Sequence, residues 1–251
     1  MTVADRYNGK VAVVTGAASG IGRAIAHRFV AEGGQVVGGD LNVDGLNALA
    51  GELGEAFVGQ RCDVVAEADV AALVATAAER FGGLHAAFNV AGASRPGLLV
   101  DLSEEDWDFT VDLCLKGVFF GVKHAGRQMI AQGGGGAIVN IASLNSRVPM
   151  FFGGSYSAAK AGVVSIGQTG ALELAEHRIR VCTVSPGLTD TPLVAALTGI
   201  EEANSAYLER IPLGRAGSPH DVEGIMVYLA SEDGAFATGS LFAVDGGMTT
   251  L

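Results

Sequence analysis

The sequence is short of cysteine, of positive charge and of long apolar runs, and each shortage excludes a class of protein. Its three cysteines, Cys62, Cys114 and Cys182, are odd in number and lack CxxC spacing, which argues against a disulfide framework or structural zinc site and favours a reducing compartment. The formal net charge of −11 opposes binding to nucleic acid or to an anionic membrane. Because no apolar run of about 18 residues and no signal-peptide pattern is present, we expect a cytoplasmic protein with no membrane segment.

Apolar residues and glycine are plentiful instead. The chain of 251 residues is 49% hydrophobic and 17% charged, which excludes global disorder and allows one large core. Its 37 glycines follow no collagen period and fall between apolar runs, as many short turns would require. The five histidines match neither HExxH nor a GxSxG turn, so zinc-protease and serine-hydrolase chemistry have no support and we expect no metal.

Short apolar runs alternate with helical patterns along the chain. Lys10–Thr15 is too short for a helix and apolar on both faces, as a central parallel strand should be. We predict further strands at 35–40, within 56–64, and at 84–92, 137–143, 179–184 and 241–244, with helices at about 23–32, from 43, and at 67–81, 107–132 and 156–176. The alternation predicts an α/β fold: a single Rossmann-type doubly wound parallel sheet of about seven strands with helices on both faces, in one domain covering 1–251.

The first strand opens into a glycine-rich turn, Gly16-Ala-Ala-Ser-Gly-Ile-Gly22, and then into a helix. Glycines let the backbone approach a phosphate, and the helix N-terminus offers free N–H groups and a partial positive charge. The turn therefore predicts a nucleotide phosphate site, although its GxxxGxG spacing differs from the commoner GxGxxG. A P-loop is excluded because no Gly-Lys-Ser/Thr follows.

Acidic residues follow the second and third strands. Asp40, about 20 residues beyond the glycines, is placed to accept hydrogen bonds from an adenosine ribose and to repel a 2′-phosphate, which favours NAD over NADP. Its alternative role is to cap the helix that starts near Val43. Asp63 also has two interpretations, as a partner for the adenine amino group or as a cap for the helix at 67–81.

Tyr156 and Lys160 lie four residues apart, so a helix places them on one face. An ammonium beside a phenol favours the phenolate and lowers its pKa, which makes the pair a candidate acid/base. The fifth strand ends on the hydroxyl of Ser143. Ligands of such folds lie at the carboxyl ends of the strands. We therefore expect one cleft to gather the groups just beyond those ends, which are the glycine turn, Asp40, Asp63, Asn89, Ser143 and Pro186-Gly187.

Six stretches occur in order along essentially the whole chain: Thr15-Gly-Ala-Ala-Ser-Gly-Ile-Gly22, Asn89-Val-Ala-Gly92, Ser143, Tyr156-Ser-Ala-Ala-Lys160, Pro186-Gly187 and Val244-Asp-Gly-Gly247. Together they resemble the classical short-chain dehydrogenases/reductases. The resemblance implies that Tyr156 is the acid/base for an alcohol or carbonyl, that Ser143 hydrogen-bonds the reacting oxygen, and that Lys160 binds the nicotinamide ribose and lowers the tyrosine pKa. It also implies a homotetramer.

The resemblance further implies a nicotinamide dinucleotide site and a substrate pocket. The implied cofactor-binding residues are Gly16, Ser19, Gly20, Ile21, Gly22, Asp40, Leu41, Asp63, Val64, Asn89, Ala91, Gly92, Tyr156, Lys160, Pro186, Gly187, Thr189 and Thr191. The implied substrate pocket comprises Ser94, Asn145, Phe151, Phe152, Leu188 and Leu193. A variable lid is expected at about 188–213, and its apolar residues indicate an apolar substrate or else pack the lid down.

One position departs from the family pattern. Where the family places an asparagine directly before Leu-Lys-Gly, in a proton relay through water to the lysine, this chain has Cys114. A thiol is a weak donor and acceptor, so the relay runs through water from Lys160 directly or is slower. We expect Cys114 to be a buried filler rather than a reactive thiol, and to leave the enzyme active. NADH binding without turnover, with turnover in Cys114→Asn, would refute this hypothesis.

The sequence thus predicts an NAD-dependent oxidoreductase that interconverts a secondary alcohol and a ketone on a hydrophobic or cyclic small molecule. The alternative is a 3-oxoacyl-thioester reductase acting on acyl carrier protein. Such reductases commonly use NADP and carry a basic residue where this chain has Ser19. A third interpretation, from another class, is a non-catalytic nucleotide-binding sensor, for which Cys114 is the only support.

Overall fold

A computed structural model describes residues 5–192 and 208–250. Seven strands form one sheet in which every neighbouring pair is parallel. They are β1 (Val11–Thr15), β2 (Gln35–Asp40), β3 (Phe57–Arg61), β4 (Ala86–Asn89), β5 (Gly136–Ile141), β6 (Ile179–Pro186) and β7 (Leu241–Val244). The spatial order β3-β2-β1-β4-β5-β6-β7 reverses between β1 and β4, which confirms the doubly wound parallel sheet.

Helices connect the strands and cover both faces of the sheet. They are α1 (Gly20–Ala31), α2 (Val43–Leu53), α3 (Glu67–Phe81), α4 (Glu104–Val111), α5 (Gly117–Gln132), α6 (Gly154–Leu174) and α7 (Pro219–Ala230). A turn of π-helix, Asp112–Lys116, joins α4 to α5, and a 3₁₀ turn, Leu144–Ser146, follows β5. Among the residues described, no helix is both long and apolar enough to cross a lipid bilayer.

The central strands bury both faces, as their sequences predict. Val14 of β1 belongs to one core with Phe29 of α1, whereas Val13 belongs to the core on the other face with Leu73 of α3. All four side chains are at most 4% exposed. Burying an aliphatic or aromatic side chain of this size stabilises a fold by about 2 kcal/mol, so these two layers hold the carboxyl ends of the strands in fixed positions.

One predicted helix needs correction, and one helix was missed. The helix expected from Trp107 begins at Glu104, because the Ser103 side chain accepts a hydrogen bond from Asp106 N and caps it; the helix is also interrupted by the π turn. Helix α7 was not predicted. Its start carries a capping box of Ser218 and Asp221 with Pro219 at the first helical position, a sequence signal that could have revealed it.

Candidate active site

A cavity of about 420 Å³ lies at the carboxyl edge of the sheet. It is bordered by the glycine turn and by the segments that follow β2, β3, β4, β5 and β6. Of the predicted cofactor residues, those lining it are Gly16, Ser19, Gly20, Ile21, Gly22, Asp40, Leu41, Asp63, Val64, Ala91, Gly92, Tyr156, Lys160, Pro186, Gly187, Thr189 and Thr191. Ser143 lines the same cavity, so the structure brings the candidate acid/base and the glycine turn together.

The glycine turn packs so tightly that side chains are excluded at two points. Gly16 has φ +69°, and a Cβ there would lie 3.0 Å from the Cα of Ala91. A Cβ on Gly22 would lie 2.1 Å from the carbonyl oxygen of Gly16. Ser19, the N-cap of α1, makes no side-chain capping bond, so it leaves the first-turn N–H groups uncapped. A bare backbone at a helix N-terminus fits the phosphates of a dinucleotide.

Asp40 is held beside this turn by backbone donors. Its Oδ2 accepts a hydrogen bond from Ala18 N at 3.0 Å, and its Oδ1 accepts one from Asn42 N at 2.9 Å. The cap of α2 is Asn42, which accepts from Gly45 N at 3.0 Å, so Asp40 does not cap that helix. The carboxylate therefore lies at the cavity, next to the end of the glycine turn, where a ribose hydroxyl could reach it.

Asp63 also lines the cavity and does not cap α3. Its Oδ1 accepts from Val65 N at 3.1 Å, while the N-cap of α3 is Ala66, which has no side-chain capping bond. The capping interpretation is excluded for this residue as well. An interaction with an adenine amino group stays a prediction.

Lys160 and Ser143 approach Tyr156 from two sides. Lys160 is 2% exposed, its Nζ lies 5.6 Å from the centre of the Tyr156 ring, and the same atom donates to the carbonyl oxygen of Ile141 at 2.9 Å. The Oγ of Ser143 accepts from Asn145 N at 3.2 Å, which fixes one of its lone pairs. All three side chains line the cavity, so the ammonium and the hydroxyl lie near the phenol.

The acidity of Tyr156 differs from the sequence expectation. Burial raises the pKa of its hydroxyl, and the nearby Lys160 charge and a hydrogen bond from Ser143 lower it, without offsetting the burial. Sequence reasoning named only the lowering influence of Lys160, because the depth at which a side chain lies cannot be deduced from spacing. Desolvation disfavours the phenolate, so the positive charge of Lys160 is needed to keep that form accessible.

The segment after β6 spans the cavity from the sheet to the glycine turn. Gly187 N donates to the carbonyl oxygen of Val244 at 2.9 Å, and a Cβ on Gly187 would lie 2.7 Å from the Cα of Asp245. Farther along, the methyl group of Thr191 would lie 3.3 Å from a Cβ on Gly20. The segment thus forms the part of the cavity wall that meets the glycine turn.

Two predicted residues lie behind the cavity rather than in it. Asn89 is 4% exposed, and its Nδ2 donates to Oδ1 of Asn140 at 2.8 Å. Cys114 is 0% exposed within the π turn, and its Sγ donates to the carbonyl oxygen of Ala93 at 3.1 Å. Neither side chain lines the cavity, although Ala93 does.

Several lining residues were missed by sequence reasoning. They are Gly39, Cys62, Val90, Ala93, Leu113, Ile141, Ala142 and Pro192. Most are small or apolar residues that carry no chemical signal in a sequence. Cys62 is the exception, but burial raises the pKa of its thiol to about 12, so the neutral thiol is present at physiological pH.

The predicted substrate residues that the structure describes lie outside this cavity. Ser94, Asn145, Phe151, Phe152 and Leu188 do not line it, and Leu193 lies outside the described residues, as does most of the predicted lid. Phe151 is 77% exposed and packs edge-to-face on Phe152, with ring centres 4.4 Å apart. Both belong to the segment between Ser143 and Tyr156, so their contact with substrate stays a prediction.

Comparison with known sequences assigns the family. The family model described as enoyl-(acyl carrier protein) reductase matches residues 16–249, which contain the whole cavity. The chain belongs to the classical short-chain dehydrogenases/reductases. These are oxidoreductases that bind a nicotinamide cofactor.

Relatives within the short-chain dehydrogenases/reductases act on different compounds. A cis-4-hydroxycyclohexanecarboxylate dehydrogenase of Sinomonas cyclohexanicum is 40% identical over 98% of this chain and 99% of its own. A 3-oxoacyl-(acyl-carrier-protein) reductase, FabG, of Thermotoga maritima is 37% identical over 97% of this chain and 99% of its own. An NADP-dependent (R)-specific alcohol dehydrogenase of Lentilactobacillus kefiri is 38% identical, covering 98% of both chains.

A solved structure has the same fold. The crystal structure of a putative short-chain alcohol dehydrogenase from Sinorhizobium meliloti 1021 matches with a TM-score of 0.93 and 35% identity, covering 98% of this chain and 99% of that one. The similarity includes the sheet and its flanking helices.

Proposed function

We propose that this protein is an NAD-dependent dehydrogenase that interconverts a secondary alcohol and a ketone on a hydrophobic or cyclic small molecule. The observation that carries the proposal is that Ser143, Tyr156, Lys160 and Asp40 share one cavity with the glycine turn, whose uncapped helix N-terminus suits the phosphates of a dinucleotide. The residues to which we assign cofactor contacts are those of the predicted set that line this cavity.

The choice of NAD rests on Asp40. Its carboxylate is held at the cavity by two backbone N–H groups and meets no basic side chain within hydrogen-bonding distance among the described residues. A 2′-phosphate placed there would meet a like charge, whereas ribose hydroxyls would donate hydrogen bonds to it. The glycine turn offers a 2′-phosphate no positive charge, because its one polar side chain, Ser19, is uncharged. One relative is named as NADP-dependent, so the choice needs a direct test.

The proton chemistry is assigned to Tyr156. When bound, the nicotinamide supplies or accepts the hydride. For oxidation, the Tyr156 phenolate takes the proton of the substrate hydroxyl while Ser143 donates a hydrogen bond to the reacting oxygen. For reduction, Tyr156 is the phenol and gives that proton back. Lys160 supports the phenolate through its charge and retains two further N–H groups for other partners.

We base the substrate class on the apolar side chains in and against the segment that joins Ser143 to Tyr156. The segment from Ser143 to Tyr156 exposes Phe151 and Phe152, and Leu99 lies against Gly154 at the start of α6. Exposed apolar groups of this kind suit a ring or an alkyl chain. A relative that acts on a hydroxycyclohexane carboxylate agrees with this class.

A 3-oxoacyl-thioester reductase is the second candidate, favoured by the relative from Thermotoga maritima. A panel of cyclic alcohols, cyclic ketones and a 3-oxoacyl thioester, followed by NADH and NADPH absorbance, separates the two. We expect turnover of the cyclic compounds with NADH, and a loss of about 10²-fold to 10⁴-fold in kcat for Tyr156→Phe with cofactor binding retained. Activity confined to NADPH and the thioester would establish the second candidate, and NADH binding without any turnover would favour a sensor.

Assembly and location complete the proposal. We assign a homotetramer in the cytoplasm, on the family resemblance and on the three unpaired cysteines, all of which are buried. Light scattering of the purified protein tests the assembly.

A further inference from the structure

Two fully buried side chains bind one backbone segment from the same helical face. Thr110 at the end of α4 and Cys114 in the π turn are four residues apart, and both are 0% exposed. Thr110 Oγ1 accepts a hydrogen bond from Arg95 N at 3.1 Å, and Cys114 Sγ donates to the carbonyl oxygen of Ala93 at 3.1 Å. The segment from Ala93 to Arg95 is therefore held at two backbone points.

The Arg95 side chain adds a third attachment to the same helix. Its Nη1 pairs with Glu105 and Asp106 at 3.0 Å each, and its guanidinium carbon lies 4.2 Å from the centre of the Phe109 ring. Exposed ion pairs of this kind contribute little free energy. Leaving a buried polar group without a hydrogen-bond partner costs more free energy than losing an exposed ion pair. The two buried hydrogen bonds therefore determine where the segment lies.

The segment is part of the cavity wall next to Lys160. Ala91, Gly92 and Ala93 all line the cavity. A Cβ on Gly92 would lie 3.5 Å from Cys114 Sγ and 3.7 Å from Lys160 Nζ, so the wall at Gly92 packs close to both the thiol and the ammonium. Upstream, Thr15 Oγ1 accepts from Ala91 N at 3.3 Å, which fixes the other end to β1.

We infer that Thr110 and Cys114 are positioning residues, which set the wall at 91–93 against the bound dinucleotide without touching it. The inference rests on the proposed function in one respect, that a dinucleotide occupies the cavity. It also concerns the π turn, which holds Cys114 where its Sγ reaches the carbonyl oxygen of Ala93. π turns recur inside helices near functional sites.

The test compares Thr110→Val and Cys114→Ala with the conservative variants Thr110→Ser and Cys114→Ser. Losing one neutral hydrogen bond should raise the NADH dissociation constant and lower kcat by about fivefold each, while the conservative variants stay within about twofold of the original. Because both side chains hold one segment, the double variant should fall short of the product of the single effects. The pH midpoint of kcat should not move in Thr110→Val, since Tyr156, Lys160 and Cys114 are unchanged in that variant.

Thr76→Val is the matched control. Thr76 Oγ1 donates to the carbonyl oxygen four residues earlier, at Ala72, as Thr110 Oγ1 does at Asp106, but it lies on α3 away from the cavity. This variant should bind and turn over cofactor like the original protein. Equal losses in Thr76→Val and Thr110→Val, or a Thr110→Ser variant as impaired as Thr110→Val, would overturn the inference.

Hydrogen exchange at the Arg95 amide provides a readout that needs no cofactor. We expect Thr110→Val to speed exchange there by about fivefold or more and to leave amides of β2 unchanged. Unchanged Arg95 exchange would refute the two-point attachment. A protein that binds neither NADH nor NADPH, yet shows the faster exchange, would refute the proposed function and the cofactor-positioning role, but not the attachment.

Discussion

Lys160 is fixed by Ile141, whose carbonyl oxygen accepts a hydrogen bond from Nζ at 2.9 Å. Ile141 ends β5, two residues before Ser143, so one strand end places both the ammonium and the hydroxyl beside Tyr156. In the part of the chain that the structure describes, no carboxylate forms an ion pair with Lys160. Its charge therefore acts on Tyr156 without a counter-ion.

Replacing Lys160 by methionine should move the pH dependence of catalysis to higher pH. Oxidation needs the phenolate, so its rate rises as pH rises through the pKa of Tyr156. Burial raises that pKa and the Lys160 charge lowers it, so removing the charge raises it further. Reduction needs the phenol, so its rate falls as pH rises through the same pKa. That fall should also move to higher pH. Initial rates at saturating cofactor across pH measure both.

Lys123→Met is the control for that experiment. It removes a lysine that pairs with Glu67 on α3 and lies outside the cavity, so its pH profile should match the original. A Lys160→Met profile that keeps its midpoint would contradict the influence assigned to the ammonium.

Neutralising Asp40 should weaken the preference for NAD. Asp40→Asn keeps one oxygen that can accept from Ala18 N, and it loses the charge together with the acceptor for Asn42 N. We expect NADP⁺ to bind about tenfold more tightly or better, because the repulsion of a 2′-phosphate disappears. Asp44→Asn removes the same charge four residues away in the first turn of α2 and should change neither affinity. Titration with both cofactors decides, and equal effects of the two variants would dismiss the role of Asp40.

A methyl group at Gly22 should destroy dinucleotide binding. Alanine there would bring its Cβ within 2.1 Å of the Gly16 carbonyl oxygen, so the turn must open. Gly51→Ala is the matched control, since a Cβ at that helical position meets nothing within 4 Å. We expect Gly51→Ala to stabilise the fold by about 0.5–1 kcal/mol and to leave binding intact. Thermal unfolding and NADH fluorescence report the two effects, and normal binding by Gly22→Ala would contradict a phosphate site in the turn.

Truncating Phe151 should weaken substrate binding alone. Phe151→Ala should raise KM for a cyclic alcohol by about tenfold, because the ring of the substrate loses its apolar contact with Phe151. The KM for the cofactor should stay constant. Phe236, which is fully exposed and outside the segments bordering the cavity, is the comparison: Phe236→Ala should leave both constants unchanged. If Phe151→Ala behaves like Phe236→Ala, the aromatic pair takes no part in substrate recognition.

The strands could be predicted from the sequence because a short apolar run between turns is typical of a strand that is buried in a parallel sheet. β2 and β7 have the predicted bounds, and β1 differs by one residue. The break between α4 and α5 was not accessible, since an i to i+5 turn leaves no mark on the apolar pattern. It accompanies contacts with the segment at Ala93, which is distant in sequence.

Whether a polar residue at a strand end faces the cavity depends on how that strand aligns with its neighbour. The sequence of a single strand does not show this alignment. Asn89 looks like a ligand because it is a polar residue at a strand end. In the sheet it stands opposite Asn140 on the neighbouring strand, and the two amides bond to each other. Gly39 and Ala142 line the cavity with little or no side chain, so only the folded backbone identifies them.

The bond from Gly187 N to the Val244 carbonyl determines how late in synthesis the cavity can be completed. Every group assigned to proton transfer lies before residue 161, yet the turn at Pro186-Gly187 packs on Val244 and Asp245, late in the sequence. During translation the chain can therefore form its first strands and expose Tyr156 and Lys160 well before that wall exists. A nascent chain that stops short of β7 would carry the reactive side chains without the wall that completes the cavity, and so would remain inactive until synthesis has passed residue 244.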